Sequence, residues 1–167
     1  MPYSHPEPLR SRHSLDGFRC GEDSLDTWLH RYARQAENDG SARVYVTTDG
    51  TARVVGYYAI AAGSVHPDDA TARLLRGQAR RDVPILLLAR LAVDRRHQGQ
   101  GIGRSILIDA MQRCATVANE AGVRALAAHA LHPRAREFYL QYGFEPSPTD
   151  SLHLILLMKD LLKLLAQ

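Results

Sequence analysis

The chain has almost no lysine. Of its 21 basic residues only Lys159 and Lys163 are lysines, and both lie near the C-terminal end. This excludes a P-loop, whose glycine-rich turn must deliver a lysine to the phosphates. Cysteine is equally scarce. Cys20 and Cys114 stand far apart and form no C-x-x-C pair, which argues against a disulfide framework or a thiolate zinc site and for a reducing compartment. The eight histidines are scattered and show no metal-ligand spacing, so no metal is expected. No apolar run is long enough to span a bilayer as a helix, and the first residues lack the basic and apolar regions of a signal peptide. A cytoplasmic protein without membrane association is expected. Net charge is only +3, too little to claim nucleic-acid binding from charge alone.

What is present is an ordinary globular balance over 167 residues, 45% hydrophobic and 23% charged, as expected of a single domain spanning residues 1–167. One stretch stands out: Arg96-His97-Gln98-Gly99-Gln100-Gly101-Ile102-Gly103. It follows the apolar run 85–93 and opens an amphipathic segment reaching residue 120. Strand, glycine turn and helix in that order point several backbone N–H groups at one spot, at the positive end of a helix dipole. That is a seat for a pyrophosphate. The G-x-G-x-G spacing brings the third glycine one position too early for a dinucleotide fingerprint, which needs G-x-G-x-x-G.

The periodicities predict the remaining elements. Residues 1–14 read as an extended lead or first strand. Residues 25–36 recur at helical spacing behind the acidic start Asp23-Ser24-Leu25-Asp26, and Asn38-Asp39-Gly40 stops that helix. Residues 42–48 and 53–61 form a hairpin about Asp49-Gly50. A short helix is predicted over 67–78, on an exposed arm and capped near Asp68 or Asp69. Ile106, Ala110, Cys114 and Val117 line one stripe of the helix after the glycine turn, which Gly122 closes. Strands at 123–131 and 152–158 flank a helix that begins at Pro133 and ends before Gly143. A short amphipathic tail carrying Leu161, Leu162 and Leu165 follows. This order describes a mixed α/β domain with an antiparallel first half.

Arg96-x-x-Gly99-x-Gly101, with Leu91-Ala92-Val93-Asp94 before it and Phe138-Tyr139…Gly143-Phe144 after it, resembles the signature of the GNAT acyl-CoA N-acyltransferases. The likeness covers the chain from about residue 18 onward. It implies an α/β (α+β) fold with a mixed, mostly antiparallel sheet, splayed at the acetyl-CoA strands and flanked by helices. It also implies acetyl-CoA as co-substrate. The backbone of Leu91, Ala92 and Val93 would hold the pantetheine arm, and Gln98, Gly99, Gln100, Gly101, Ile102, Gly103 and Arg104 would offer amides to the pyrophosphate. Arg96 or Arg104 would add charge-assisted contacts. Tyr139 takes the place of the family's general acid, a phenol of pKa about 10 that can protonate a departing thiolate. Tyr142, three residues on, is its rival, and Phe138 reads as core. Asp94, His129, His132 and Glu145 are each open as general base, with direct proton loss to water as the alternative. Many members of the family carry an Asn where His132 stands. Neither cysteine has an activating context for a nucleophile.

Two features bear on the acceptor. Arg90 interrupts an otherwise apolar strand, where a buried cation is costly unless paired. It either faces the acceptor and holds a phosphate or carboxylate, or is a paired structural arginine. Arg73, Arg76, Arg80 and Arg81 form a basic segment whose planar forks suit phosphate. Phe18-x-Cys20-Gly21-x-x-x-Leu25-Asp26-x-Trp28-Leu29, the strand Ala42-Arg43-Val44-Tyr45-Val46, Ala89-Arg90-Leu91-Ala92-Val93-Asp94 and the glycine turn together resemble the GNAT toxins of bacterial type II toxin–antitoxin modules. That likeness implies acetylation of the α-amine on charged tRNA, block of translation, a ribbon-helix-helix antitoxin and a homodimer. Arg73, Arg76, Arg80, Arg81 and Arg90 would then be the tRNA contacts. The alternatives are a GNAT enzyme acting on a small amine or protein N-terminus, and a non-catalytic CoA-binding module.

Overall fold

The alternating stretch Arg43–Thr48 forms β2, and Val54–Val65 forms β3, paired antiparallel from Arg43↔Ile60 to Thr48↔Val54. In a computed structural model describing residues 3–167, the connection is longer than the two-residue turn that Asp49-Gly50 predicts. The register shifts between Thr47 and Thr48, and the Asp49 carboxylate accepts the Thr51 N–H at 3.0 Å, closing the loop with a side chain. The extended lead supplies only β1, Glu7–Pro8, antiparallel to β2. With β4 at Val83–Val93, β5 at Ala125–His129, β6 at Glu145–Pro146 and β7 at His153–Leu157, hydrogen bonding orders the strands as β1-β2-β3-β4-β5-β7-β6 in one mixed sheet. The expected fold class is thereby found.

The chain divides into two compact units, residues 1–61 with 89–110 and residues 62–88 with 111–167. In the first, helices α1 (Asp23–Arg31) and α2 (Ala33–Asp39) cover the β1–β3 ladder. A single helix was expected here. The chain leaves helical dihedrals at Tyr32 (φ −120°, ψ −21°), which turns that ring outward while Leu29 and Ala33 on either side stay fully buried. The expected acidic cap is also absent: Glu22 holds the N-cap position but its side chain does not cap the helix, and Asp26 instead accepts the Cys20 N–H at 2.9 Å. Gly40, at φ +79°, ends α2 as the sequence predicts. Phe18, Leu29, Val44, Val46 and Tyr57 fill this core.

β4 (Val83–Val93) begins in the second unit, where it runs parallel to β5 (Ala125–His129) from Leu86↔Leu126 to Leu88↔Ala128. β5 pairs antiparallel with β7 (His153–Leu157), and β7 with the short β6, Glu145–Pro146. Leu74, Val83, Ile85, Ala127 and Ile155 make its core. The helix predicted over 67–78 is a 3-10 turn, Pro67–Asp69, and the four-residue α3, Ala72–Leu75. Two successive caps divide it: the His66 ring accepts the Asp68 N–H, and Thr71 Oγ1 accepts the Leu74 N–H at 3.1 Å. Leu74 is fully buried, so the segment is anchored rather than an exposed arm.

Helix α4, Ile102–Ala118, buries Ile106, Leu107, Ala110, Met111 and Cys114; Val117 falls outside that stripe at 38% exposure. Helix α5 spans Pro133–Leu140, with Gly143 at φ +87° just beyond it, and α6, Met158–Leu165, buries Leu161 while exposing Leu162.

Candidate active site

The glycine turn is held from behind by one carboxylate. Asp94 ends β4 almost wholly buried, at 1% exposure. Its Oδ1 accepts the Arg96 N–H at 2.9 Å and Arg96 Nε at 3.1 Å, and its Oδ2 accepts the Arg19 N–H at 3.1 Å. Its own N–H donates to Val55 O at 2.8 Å. Burial works to raise the Asp94 carboxyl, but the bonds from Arg96 and Arg19 outweigh it and hold the group below the usual carboxylate range. An ionised, fully engaged carboxylate is a brace, which removes Asp94 from the general-base candidates.

The brace sets a 3-10 turn, Arg95–His97. Gln98 Nε2 then donates to both Cys20 O and Val93 O at 2.9 Å, tying the turn to the end of β4. Gln100 Oε1 accepts the Tyr3 hydroxyl at 2.9 Å. Gly99 and Gly101 take φ +80° and +84°, and a Cβ on either would meet open space. Their need for glycine is therefore conformational. The helical ladder starts with Ser105 N–H donating to Gly101 O at 3.0 Å, so the amides of Ile102, Gly103 and Arg104 lie ahead of it, free of helical partners. Arg104 is exposed, whereas Arg96 shares its charge with Asp94. These residues fit a pyrophosphate: amides at a helix start, glycines that clear the approach, and an exposed cation one turn in.

The approach of α4 to β3 depends on a residue that sequence reasoning missed. A Cβ on Gly56 would stand 3.0 Å from Ile102 Cγ2 and 3.1 Å from Thr47 Cγ2. Only the length of the intervening chain separates Gly56 from the turn it supports, so no local pattern marks it. Leu91 and Val93 are half-buried and Ala92 is buried, on the part of β4 that runs past the last β5 pair at Leu88. Their backbone there has no β5 partner, as a strand that receives pantetheine requires.

Arg90 stands on the same strand, half-buried, with its guanidinium carbon 5.3 Å from the centre of the Trp28 ring. Among the described residues it has no ion pair, and its buried Nε has no hydrogen-bond partner. The paired structural arginine is thus not what is found.

Tyr139 belongs to the second unit. His132 caps α5, its Nδ1 accepting the Ala135 N–H at 3.2 Å, and Pro133 follows at the first helical position. This places Tyr139 at 7% exposure between Phe138 and Phe144, both edge-on at 5.3 Å. Burial pushes its phenol well above the usual value, so it is protonated throughout the neutral range. Its hydroxyl has no hydrogen bond to the described residues. Tyr142 is half-buried against Phe138.

The other base candidates are likewise engaged. Glu145 binds Arg73, His132 serves as a cap, and His129 stacks on His153 and lies 3.5 Å from Asp150. Burial pushes both cysteine thiols up to about 12, with Asp26 adding to the effect at Cys20, so neither is a thiolate at neutral pH. In the basic segment, Arg73 is committed to Glu145 and Asp160, and Arg80 to Asp68. Arg76 and Arg81 are exposed and have no ion pair among the described residues. No group of three or more potential metal ligands occurs among the described residues.

The sequence model of the acetyltransferase (GNAT) domain matches residues 40–146, from the end of α2 through β6. The chain belongs to the GNAT acetyltransferases. Its relatives include a tRNA-acetylating toxin of Mycobacterium tuberculosis, 48% identical over 159 residues, covering 95% of this chain and 94% of the relative. Among solved structures, AtaT complexed with acetyl-methionyl-tRNAfMet has a TM-score of 0.90 at 25% identity, with 99% of this chain and all of that one covered. A tyrosine-to-phenylalanine variant of AtaT, bound to the C-terminus of the antitoxin AtaR and acetyl-CoA, has a TM-score of 0.83 at 25% identity with both chains fully covered. A GNAT chain with an intact turn is an acetyl-CoA-dependent acetyltransferase, and the non-catalytic module is set aside.

Proposed function

We propose that this enzyme transfers acetyl from acetyl-CoA to the α-amine of the amino acid on charged tRNA, and so blocks translation as a toxin. The observation that carries this reading is the 48% identity to a tRNA-acetylating toxin along 95% of the chain. The reading places the activity in the cytoplasm. A ribbon-helix-helix antitoxin would neutralise it, in keeping with the antitoxin-bound AtaT structure, and the toxin would act as a homodimer.

The amides ahead of α4 and Arg104 hold the donor's pyrophosphate, with Arg96 steadied by Asp94. The backbone of Leu91, Ala92 and Val93 aligns the pantetheine arm. The amine nitrogen attacks the thioester carbonyl carbon, the C–S bond breaks, and Tyr139 gives its phenolic proton to the departing sulfur. The nitrogen's surplus proton passes to water and the tyrosinate is reprotonated from solvent. No dedicated base is required, because an α-amine has a pKa of about 8 and is partly neutral near pH 7.5. Arg76 and Arg81, unlike Arg73 and Arg80, remain available to tRNA phosphates.

Incubating the purified protein with charged tRNA and labelled acetyl-CoA tests the reading. Label should appear on the aminoacyl amine. Label on free amines or proteins, with charged tRNA unlabelled, would overturn it.

A further inference from the structure

We propose that Arg90, braced by Trp28, is the acceptor-side anion seat, and that its ligand is a phosphodiester of the 3′-terminal strand of the charged tRNA. This rests on the function proposed above. Arg90 is a guanidinium withdrawn partly from water without a carboxylate to offset the cost. Its Nε is buried and unbonded, and its guanidinium carbon lies 5.3 Å from the centre of the Trp28 ring. Trp28 is itself fixed, stacked on Tyr57 at 6.1 Å with 9° between the rings, and Tyr57 is anchored by its hydroxyl donating to Leu25 O at 2.7 Å. An aromatic face holds a guanidinium in place without consuming its fork of N–H donors. The arrangement is built to receive an anion.

The strand limits which anion. Arg90 precedes Leu91–Val93, the backbone assigned to the pantetheine arm, by one to three residues, or about 3–10 Å along the strand. It therefore lies on the side of the reacting carbonyl rather than at the pyrophosphate turn. In charged tRNA the amino acid's own carboxyl is esterified and carries no charge. The anions nearest the attacking amine are then the phosphodiesters of the terminal nucleotides, whose oxygens suit a planar fork. Contact there would fix the amine's position and add one site-specific phosphate contact to the exposed arginines.

The test uses the full-length enzyme and the R90Q and R90K variants, each checked for a wild-type thermal melt. The KM for charged tRNA in R90Q should rise about tenfold, as for loss of a charge-assisted bond, while the KM for acetyl-CoA stays within about twofold. The slope of log affinity for uncharged tRNA against log salt should fall by about 0.7, one phosphate contact on a single strand. Trp28, the only tryptophan, supplies a direct signal: its emission should change when uncharged tRNA binds the wild type and not R90Q. R90K should recover part of the KM loss. Unchanged tRNA KM and salt slope in both variants would overturn the seat alone, if the wild type acetylates charged tRNA. A rise confined to the acetyl-CoA KM would assign the anion to the donor, and loss confined to antitoxin binding would assign it to an acidic protein; either overturns the proposal. A wild type inactive on charged tRNA but active on another amine would overturn the functional reading with it.

Discussion

Replacing Asp94 with Asn isolates the brace behind the donor turn. The substitution keeps the shape and removes the charge. In the wild type four bonds are charge-assisted, from Arg96 N–H, Arg96 Nε, Arg96 Nη2 (the longest, at 3.4 Å) and Arg19 N–H. Hydrogen bonds to a charged group contribute about 1.5–3 kcal/mol, against about 1 for a neutral pair. Neutralising the acceptor should then cost about 2–4 kcal/mol in a group at 1% exposure. In a chain of this length each kcal/mol moves Tm by about 2–4 °C, so D94N should melt about 5–15 °C lower at pH 7. The pH dependence has a definite sign. The folded carboxyl titrates below its unfolded value, so its contribution is complete above about pH 4 and fades as pH falls through the folded pKa. The gap between wild type and D94N should narrow with acidification below about pH 4. Calorimetry or circular dichroism across that range, with acetyl-CoA titration at pH 7, measures both. A Tm within about 1 °C of wild type at pH 7, or a gap constant with pH, would refute the argument that this carboxylate holds the turn.

Gly101→Ala should cost the free protein only about 1–2 kcal/mol, the strain of a left-handed residue, because its Cβ meets open space. Its larger effect should be on acetyl-CoA, seen as a raised KM and weaker binding by calorimetry. Tyr139→Phe should cut kcat by about 100-fold or more while leaving the melt and acetyl-CoA binding near wild type, since the hydroxyl anchors nothing described; single-turnover kinetics and a melt separate these effects. Because burial raises the phenol's pKa, the wild-type kcat should not fall between pH 8 and about 10 through ionisation of Tyr139, which a pH–rate profile checks. Arg73→Ala should lower Tm, as it frees Glu145 and Asp160, yet leave the tRNA KM near wild type. Arg76→Ala and Arg81→Ala should do the reverse, and a salt series on the three variants tells them apart.

Features written in neighbouring residues were legible. The turn follows from glycines at fixed offsets, and α5 from His132-Pro133 before a helical pattern and Gly143 after it. What could not be read is what depends on distant partners. Asp94 appears in sequence as a free acid after a strand, and its second oxygen is engaged by the N–H of Arg19, 75 positions away. Arg73 looks like one cation in a basic run until Glu145 and Asp160, 72 and 87 positions on, take its charge. The helix predicted over 67–78 is divided for a local reason: His66 offers a capping acceptor at its start and Thr71 a second one inside it, and a backbone given two caps starts twice.

These pairings change what the arginines can do for an acceptor. Counted along the chain, Arg73, Arg76, Arg80 and Arg81 form a block of four charges, but two are matched by carboxylates at contact distance. The block that attracts a distant polyanion is therefore Arg76 and Arg81, and exposed charges of that kind are screened within about 10 Å at ordinary salt. They draw in any nucleic acid and discriminate little. Arg90 differs in kind. It is half-buried, held by a ring instead of an acid, and its charge is screened less because solvent reaches it less. A single such residue adds little to long-range attraction but much to register, since an anion must arrive at one point to satisfy it. Substrate choice in this enzyme would then reside less in the basic surface than in one unpaired guanidinium beside the strand where acetyl is delivered.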